Sequence, residues 1–92
     1  YMKKSIRLFI TGSLQSIFFR QFIKENAEAN DVKGFLRNLG EGKVEIFLEG
    51  QAEDVDAVAT ICRKGPKYAQ IRSVEEKPEH LQDFKDFRIL KF

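Results

Sequence analysis

The chain has 92 residues, 42% of them hydrophobic and nine of them Phe, which suits one packed core and excludes a disordered segment. Sixteen Lys and Arg against fourteen Asp and Glu leave a net charge of +2, without the basic excess of most nucleic-acid binders. One cysteine, Cys62, allows no internal disulfide, and no apolar run approaches the roughly 20 residues of a membrane span, so neither an oxidising compartment nor a membrane is indicated.

Lys4 to Thr11 alternates, with Ile6, Leu8 and Ile10 on one face, as a half-buried strand requires. The stretch Gly12 to Arg20, GSLQSIFFR, then joins this strand to residues 18 to 29, whose spacing predicts a helix with Phe19, Phe22, Ile23 and Ala27 inward. Asn30-Asp31 ends that helix. Val32 to Arg37 reads as a short strand, Asn38-Leu39-Gly40-Glu41-Gly42 as a turn, and Lys43 to Glu49 as a strictly alternating strand, which together make a hairpin. Gln51 to Lys64 reads as a second helix with Val55, Val58, Ala59 and Cys62 on one face, closed by Gly65-Pro66. Ala69 to Glu76 is a fourth strand in which Ile71 and Val74 fall out of period-2 phase, predicting a bulge or bend. A polar connection from Pro78 to Asp86 leads to a terminal strand with Phe87, Ile89 and Leu90. The order strand, helix, strand, strand, helix, strand predicts an α+β, ferredoxin-like split βαβ sandwich: an antiparallel sheet with two helices packed on one face. No linker or repeat divides residues 1–92, so a single domain is expected, as are a monomeric state and, with no signal-peptide core, a cytoplasmic location.

The strand-to-helix loop carries the chemistry. Successive backbone N–H groups and the positive end of a helix aimed at one spot make a site for an anion, and Arg20 can hold two oxygens of a phosphate at once. We read Leu14, Gln15, Ser16, Ile17, Phe18, Phe19 and Arg20 as a phosphate cradle, expected to hold inorganic phosphate or a similar anion. An ordinary loop with a solvated Arg20 is the competing reading. A cysteine phosphatase would need its thiolate where Leu14 stands, and Ser13 and Ser16 have no evident base, because the single histidine, His80, lies in the distant polar connection. Water would then be the nucleophile, oriented by Asn38, whose amide is both donor and acceptor; from the residues alone, Asn38 reads at least as well as the start of a turn. No metal-ligand set is visible, and no cofactor is expected. Gly40-Glu41-Gly42 is turn chemistry and not a dinucleotide loop. Lys33-Gly34-Phe35 begins like the aromatic signature of an RNA-recognition module, but Leu36-Arg37-Asn38 breaks it, so no nucleic-acid partner is expected. The basic residues Lys3, Lys4, Arg7, Arg63, Lys64, Lys67 and Arg72 read as a solvated surface.

These motifs together resemble the acylphosphatase family. GSLQSIFFR is similar to that family's G-x-V-Q-G-V-x-F-R, with Gly12, Gln15, Phe19 and Arg20 matching; Arg37-Asn38 matches its R-N pair; GKVEIFLEG from Gly42 resembles G-x-V-E-x-x-x-E-G; and Gly65-Pro66 with Ala69, Ile71 and Val74 resembles G-P-x-x-A-x-V-x-x-V. The resemblance implies an enzyme that hydrolyses carboxyl-phosphate anhydrides without metal, its substrate a small acyl phosphate. It further implies that Arg20 and the cradle amides bind phosphate while Asn38 positions the attacking water. The alternative is a catalytically weak anion-binding or regulatory domain on the same fold. Ser16 stands where the family has glycine: the first reading is a positive φ at Ser16 with strain that a glycine would relieve, the opposing one a negative φ with its hydroxyl donating to a phosphate oxygen.

Overall fold

The computed structural model describes residues 2–90, Ser16 by its backbone alone. The elements are β1 (Lys3–Ser13), α1 (Ser16–Ala29), β2 (Lys33–Gly40), β3 (Lys43–Gln51), α2 (Ala52–Lys64), β4 (Gln70–Glu79) and β5 (Phe87–Leu90). The strands form one sheet in the order β4-β1-β3-β2-β5. The split βαβ arrangement is as the sequence predicts, with one correction: β5 pairs with β2 in parallel, so the five-stranded sheet is mixed and not wholly antiparallel. β4 leaves the sheet at the end where β2 begins, its Glu79 opposite Ser5 of β1. A connection that crosses at that end and re-enters beside Gly34 of β2 must run in the same direction as β2.

Both helices cover one face. Ile6, Leu8 and Ile10 of β1 and Val44, Ile46 and Leu48 of β3 are buried with Phe19, Ile23 and Ala27 of α1 and Val55, Val58, Ala59 and Cys62 of α2, the apolar stripe that the spacing predicts for each helix. The predicted bulge lies opposite β1. Thr11 faces Ser73 while Gly12 faces Ile71, so Arg72 is the extra residue, and the phase change lets both Ile71 and Val74 pack against the core. Several predicted ends move. β1 runs on to Ser13, α1 begins at Ser16, and β4 continues through Pro78, which an outer strand tolerates because its free edge needs no donor.

The face without helices is less solvated than its composition suggests. Glu45 is buried and ion-paired with both Arg7 and Arg37. Arg7 also donates to Glu79 at 3.0 Å, and these carboxylates, Glu79 foremost, raise the basicity of the guanidinium against the opposing effect of burial. Arg7 is therefore a bridge across three strands and not a surface charge. The polar connection closes the far end of this face: Glu49 accepts from Ser5 Oγ and from the Phe84 amide, each at 2.9 Å, and Phe84 packs on Phe35 and Phe47.

Candidate active site

The topology sets the location. β1 and β2 each run antiparallel to β3, so both end at the same edge of the sheet, on either side of the start of β3. In register, Ile10 faces Val44 and Val44 faces Asn38, which puts Asn38 about 10 Å, two strand spacings, from Ile10 in the last part of β1. Asn38 shares the parity of the buried Leu36, so its side chain stands on the helix-bearing face, where α1 begins. The predicted five-residue turn is much shorter. β2 continues to Gly40, with a register shift between Asn38 and Gly40 that leaves Leu39 unpaired. Asn38 is thus held in a strand beside a bulge, a device that aims a side chain, and its Oδ1 accepts from the Gly40 amide at 2.8 Å.

The loop after β1 is built by one unusual residue. Gln15 has φ 53° and ψ 63°, left-handed, and Ser16 opens the right-handed helix. A left-handed residue followed by a right-handed one turns the amides of Gln15, Ser16 and Ile17 toward a common point. As the first groups of a helix, these amides have no carbonyl one turn back. The amides of Phe18 and Phe19 differ, since both donate to the Gln15 carbonyl, at 2.9 and 3.0 Å. Of the residues expected to form the cradle, Phe18 and Phe19 therefore have their amides engaged within the helix. The positive φ also falls on Gln15 and not on Ser16, which corrects the expectation of strain at Ser16: as a helical residue it needs no glycine-like backbone.

Leu14 and Gln15 of the loop and Asn38 of β2 line one cavity of about 290 Å³, together with Gly12, Ser13, Gly40, Glu41, Gly42 and Val44. The Gly12 amide donates to the Gly42 carbonyl at 2.9 Å, tying the β2–β3 turn to the loop. Neither residue admits a side chain: a Cβ on Gly12 would meet the Gln70 carbonyl at 2.1 Å, and one on Gly42 the Gly12 carbonyl at 2.6 Å. Glu41, with φ 55°, brings a carboxylate to the rim. By composition Gly40-Glu41-Gly42 is only a turn, and the one signal in the sequence that it borders the site is its position directly after Asn38.

The remaining predicted residues divide. Leu14 and Phe19 are buried, at 5% and 0% exposure, and anchor the loop and α1 to the core, whereas Ile17 and Phe18 stand out in solvent at 69% and 65%. Arg20 is half-buried, one turn into α1, and is not among the described residues lining the cavity. Cys62, buried in the core, has its thiol pushed up to about 12 by desolvation, which leaves it inert at neutral pH. Among the described residues, no group of three or more His, Cys, Asp or Glu side chains could hold a metal ion, and no helix is long and apolar enough to cross a membrane. A larger depression of about 420 Å³ beside β5, bounded by Phe35, Phe84, Arg88 and Leu90, lacks the convergent amides of the cradle.

A protein-family model described as Acylphosphatase matches residues 6–89. An acylphosphatase of Pyrobaculum aerophilum is 45% identical over 85 residues, covering 90% of this chain and 90% of that protein. One of Rubrobacter xylanophilus is 40% identical over 76 residues, covering 83% of this chain and 69% of the relative. Among solved structures, an acylphosphatase from Coxiella burnetii superposes with a TM-score of 0.88 at 26% identity, over 96% of this chain and 93% of that one.

Proposed function

The chain belongs to the acylphosphatase family and is a hydrolase acting on acyl phosphates, and from that premise we propose how its residues divide the reaction. The phosphoryl group of the substrate sits on the amides of Gln15, Ser16 and Ile17 at the start of α1, where the helix dipole also favours negative charge. Arg20 supplies the cation that a neutral cradle lacks. Asn38 holds the attacking water. Its Oδ1 is committed to the Gly40 amide, so the NH₂ group is the end offered to the cavity, and it donates to the water oxygen.

The chemistry asks little else of the protein. Water oxygen bonds to phosphorus, the bond from phosphorus to the acyl oxygen breaks, and the carboxylate leaves with the bonding pair; the water protons pass to phosphate oxygens and solvent. A carboxylate is a good leaving group, so positioning and charge stabilisation suffice without a covalent enzyme intermediate. The observation that carries this reading is the left-handed Gln15 at the start of α1, which lines the same cavity as Asn38. The comparisons support the enzyme over an anion-holding regulatory domain. Hydrolysis of acetyl phosphate in the presence of a chelator tests the scheme. Turnover should persist and be inhibited competitively by inorganic phosphate; loss of turnover restored by a divalent cation would overturn it.

A further inference from the structure

The turn that borders the cavity carries a charge that the reaction scheme leaves unused. Glu41 lines the cavity together with Gln15 and Asn38, and a carboxylate there works against the binding of any anion. Its backbone is held in place by its neighbours. Gly40, Glu41 and Gly42 all have positive φ, at 88°, 55° and 77°, and the Gly42 carbonyl accepts from the Gly12 amide at 2.9 Å, which anchors the turn to β1. Left-handed positions draw glycine, asparagine and aspartate, so the turn geometry does not account for a glutamate. No cation neutralises it either. Among the described residues Glu41 has no ion-pair partner, and the ammonium of Lys43, two residues on, lies over the Phe9 ring at 5.3 Å from its centroid. Phe9 alternates with the buried Leu8 and Ile10 and so stands on the face without helices, which draws Lys43 away from the side of the sheet where α1 begins.

An anion at the rim disfavours the phosphoryl group of every substrate alike, so what it distinguishes is the rest of the molecule. We propose that Glu41 is a specificity-determining residue: its carboxylate disfavours acyl phosphates whose acyl group bears a second negative charge, and leaves neutral or cationic acyl groups as the substrates. This charge filter rests on the reading of the cradle as the phosphate site and adds to it the charge class of the acyl group. The acyl group is tied to phosphorus through one oxygen, so a charge near its carbonyl stays in or at the mouth of the cavity whichever way the chain runs. A cavity of about 290 Å³ is roughly 8 Å across. At roughly that separation, with an effective dielectric between that of a protein surface and that of water, one added like charge is disfavoured about fivefold. Glu41 is exposed, so dissolved salt weakens the discrimination.

The test compares 3-carbamoylbenzoyl phosphate with 3-carboxybenzoyl phosphate, which match in size and differ by one charge, in the parent, in Glu41→Gln and in Glu41→Lys. The effect of each variant on the shared phosphoryl group cancels in the ratio of the two kcat/KM values, as does any general loss of activity. At low ionic strength the parent should favour the carbamoyl substrate about fivefold, Glu41→Gln should remove that preference, and Glu41→Lys should reverse it. The parent's preference should also shrink on going from about 0.01 M to about 1 M salt, while the ratio in Glu41→Gln stays level. A ratio unchanged in both variants, with hydrolysis intact, would overturn the charge filter and leave the cradle reading standing. Failure of the parent to hydrolyse acetyl phosphate would overturn the cradle reading, and the filter with it.

Discussion

Asn38→Asp separates the two jobs assigned to this residue. In the parent, Asn38 Oδ1 accepts from the Gly40 amide at 2.8 Å and so holds the bulged end of β2, while its NH₂ group is the end proposed to hold the attacking water. Aspartate keeps the acceptor and strengthens it, since a hydrogen bond to an ionised group contributes about 1.5–3 kcal/mol against about 1 for a neutral one. Stability should therefore hold or rise by about 1 kcal/mol, a few degrees in Tm for a chain of this size. Activity should collapse. Losing one preorganised donor costs on the order of 10² to 10³ in rate. A new carboxylate within roughly 6 Å of the phosphoryl charge, at an effective dielectric near 20, adds about 3 kcal/mol, close to another 10². Steady-state kinetics on acetyl phosphate, with thermal melts of the same samples, give both numbers. Asn38→Ala is the companion: it should lose both jobs, melting several degrees lower and turning over on the order of 10² to 10³ more slowly. An Asn38→Asp enzyme within threefold of the parent would refute the donor role and return Asn38 to a purely structural one.

Arg20→Lys keeps the charge but loses the planar fork, and inorganic phosphate should inhibit this variant at least tenfold more weakly, a larger effect than any replacement at Lys64 or Lys67; an equal effect at those lysines would refute it. Ser16→Gly should bring no gain in kcat/KM and a slightly lower Tm, because Ser16 is the first residue of α1 and glycine there only adds freedom to the unfolded chain; a clear rise in kcat/KM would restore the strain idea. Cys62 should resist iodoacetamide at pH 8.5 in the folded protein and react in the unfolded one. The native thiol holds its proton up to about 12, and the unfolded thiol releases it near 9.0, so the unfolded state binds fewer protons between those values and stability declines with rising pH in that window. Rapid native alkylation would contradict the burial of Cys62.

What can be read from the residues is the part decided locally. Alternation in Ile6, Leu8 and Ile10, helical spacing in Val55, Val58, Ala59 and Cys62, and the phase slip between Ile71 and Val74 each appear in the fold as a strand, a helix face and a bulge. What escapes depends on residues distant in the chain. Asn-Leu-Gly-Glu-Gly has the composition of a turn, and only pairing with β3 draws Asn38 and Gly40 into the strand with Leu39 left over. The left-handed residue in the cradle is Gln15 and not its neighbour, because the Gln15 carbonyl is fixed by the amides of Phe18 and Phe19 and the loop is tied from outside by Gly12 and Gly42. Arg7 looks like a solvated charge until the register sets it, with Arg37, beside Glu45. The parallel pairing of β5 likewise follows from where β4 happens to end.

The central claim is that water attacks phosphorus while the cradle holds the phosphoryl group. Hydrolysis of acetyl phosphate in ¹⁸O-enriched water, with chelator present, tests it most directly by mass spectrometry of both products under single-turnover conditions. One ¹⁸O atom is expected in the inorganic phosphate and none in the acetate, with the same outcome at reduced rate in Asn38→Ala. Label in the acetate would place the attack at the carbonyl carbon and contradict the proposed roles of Gln15, Arg20 and Asn38.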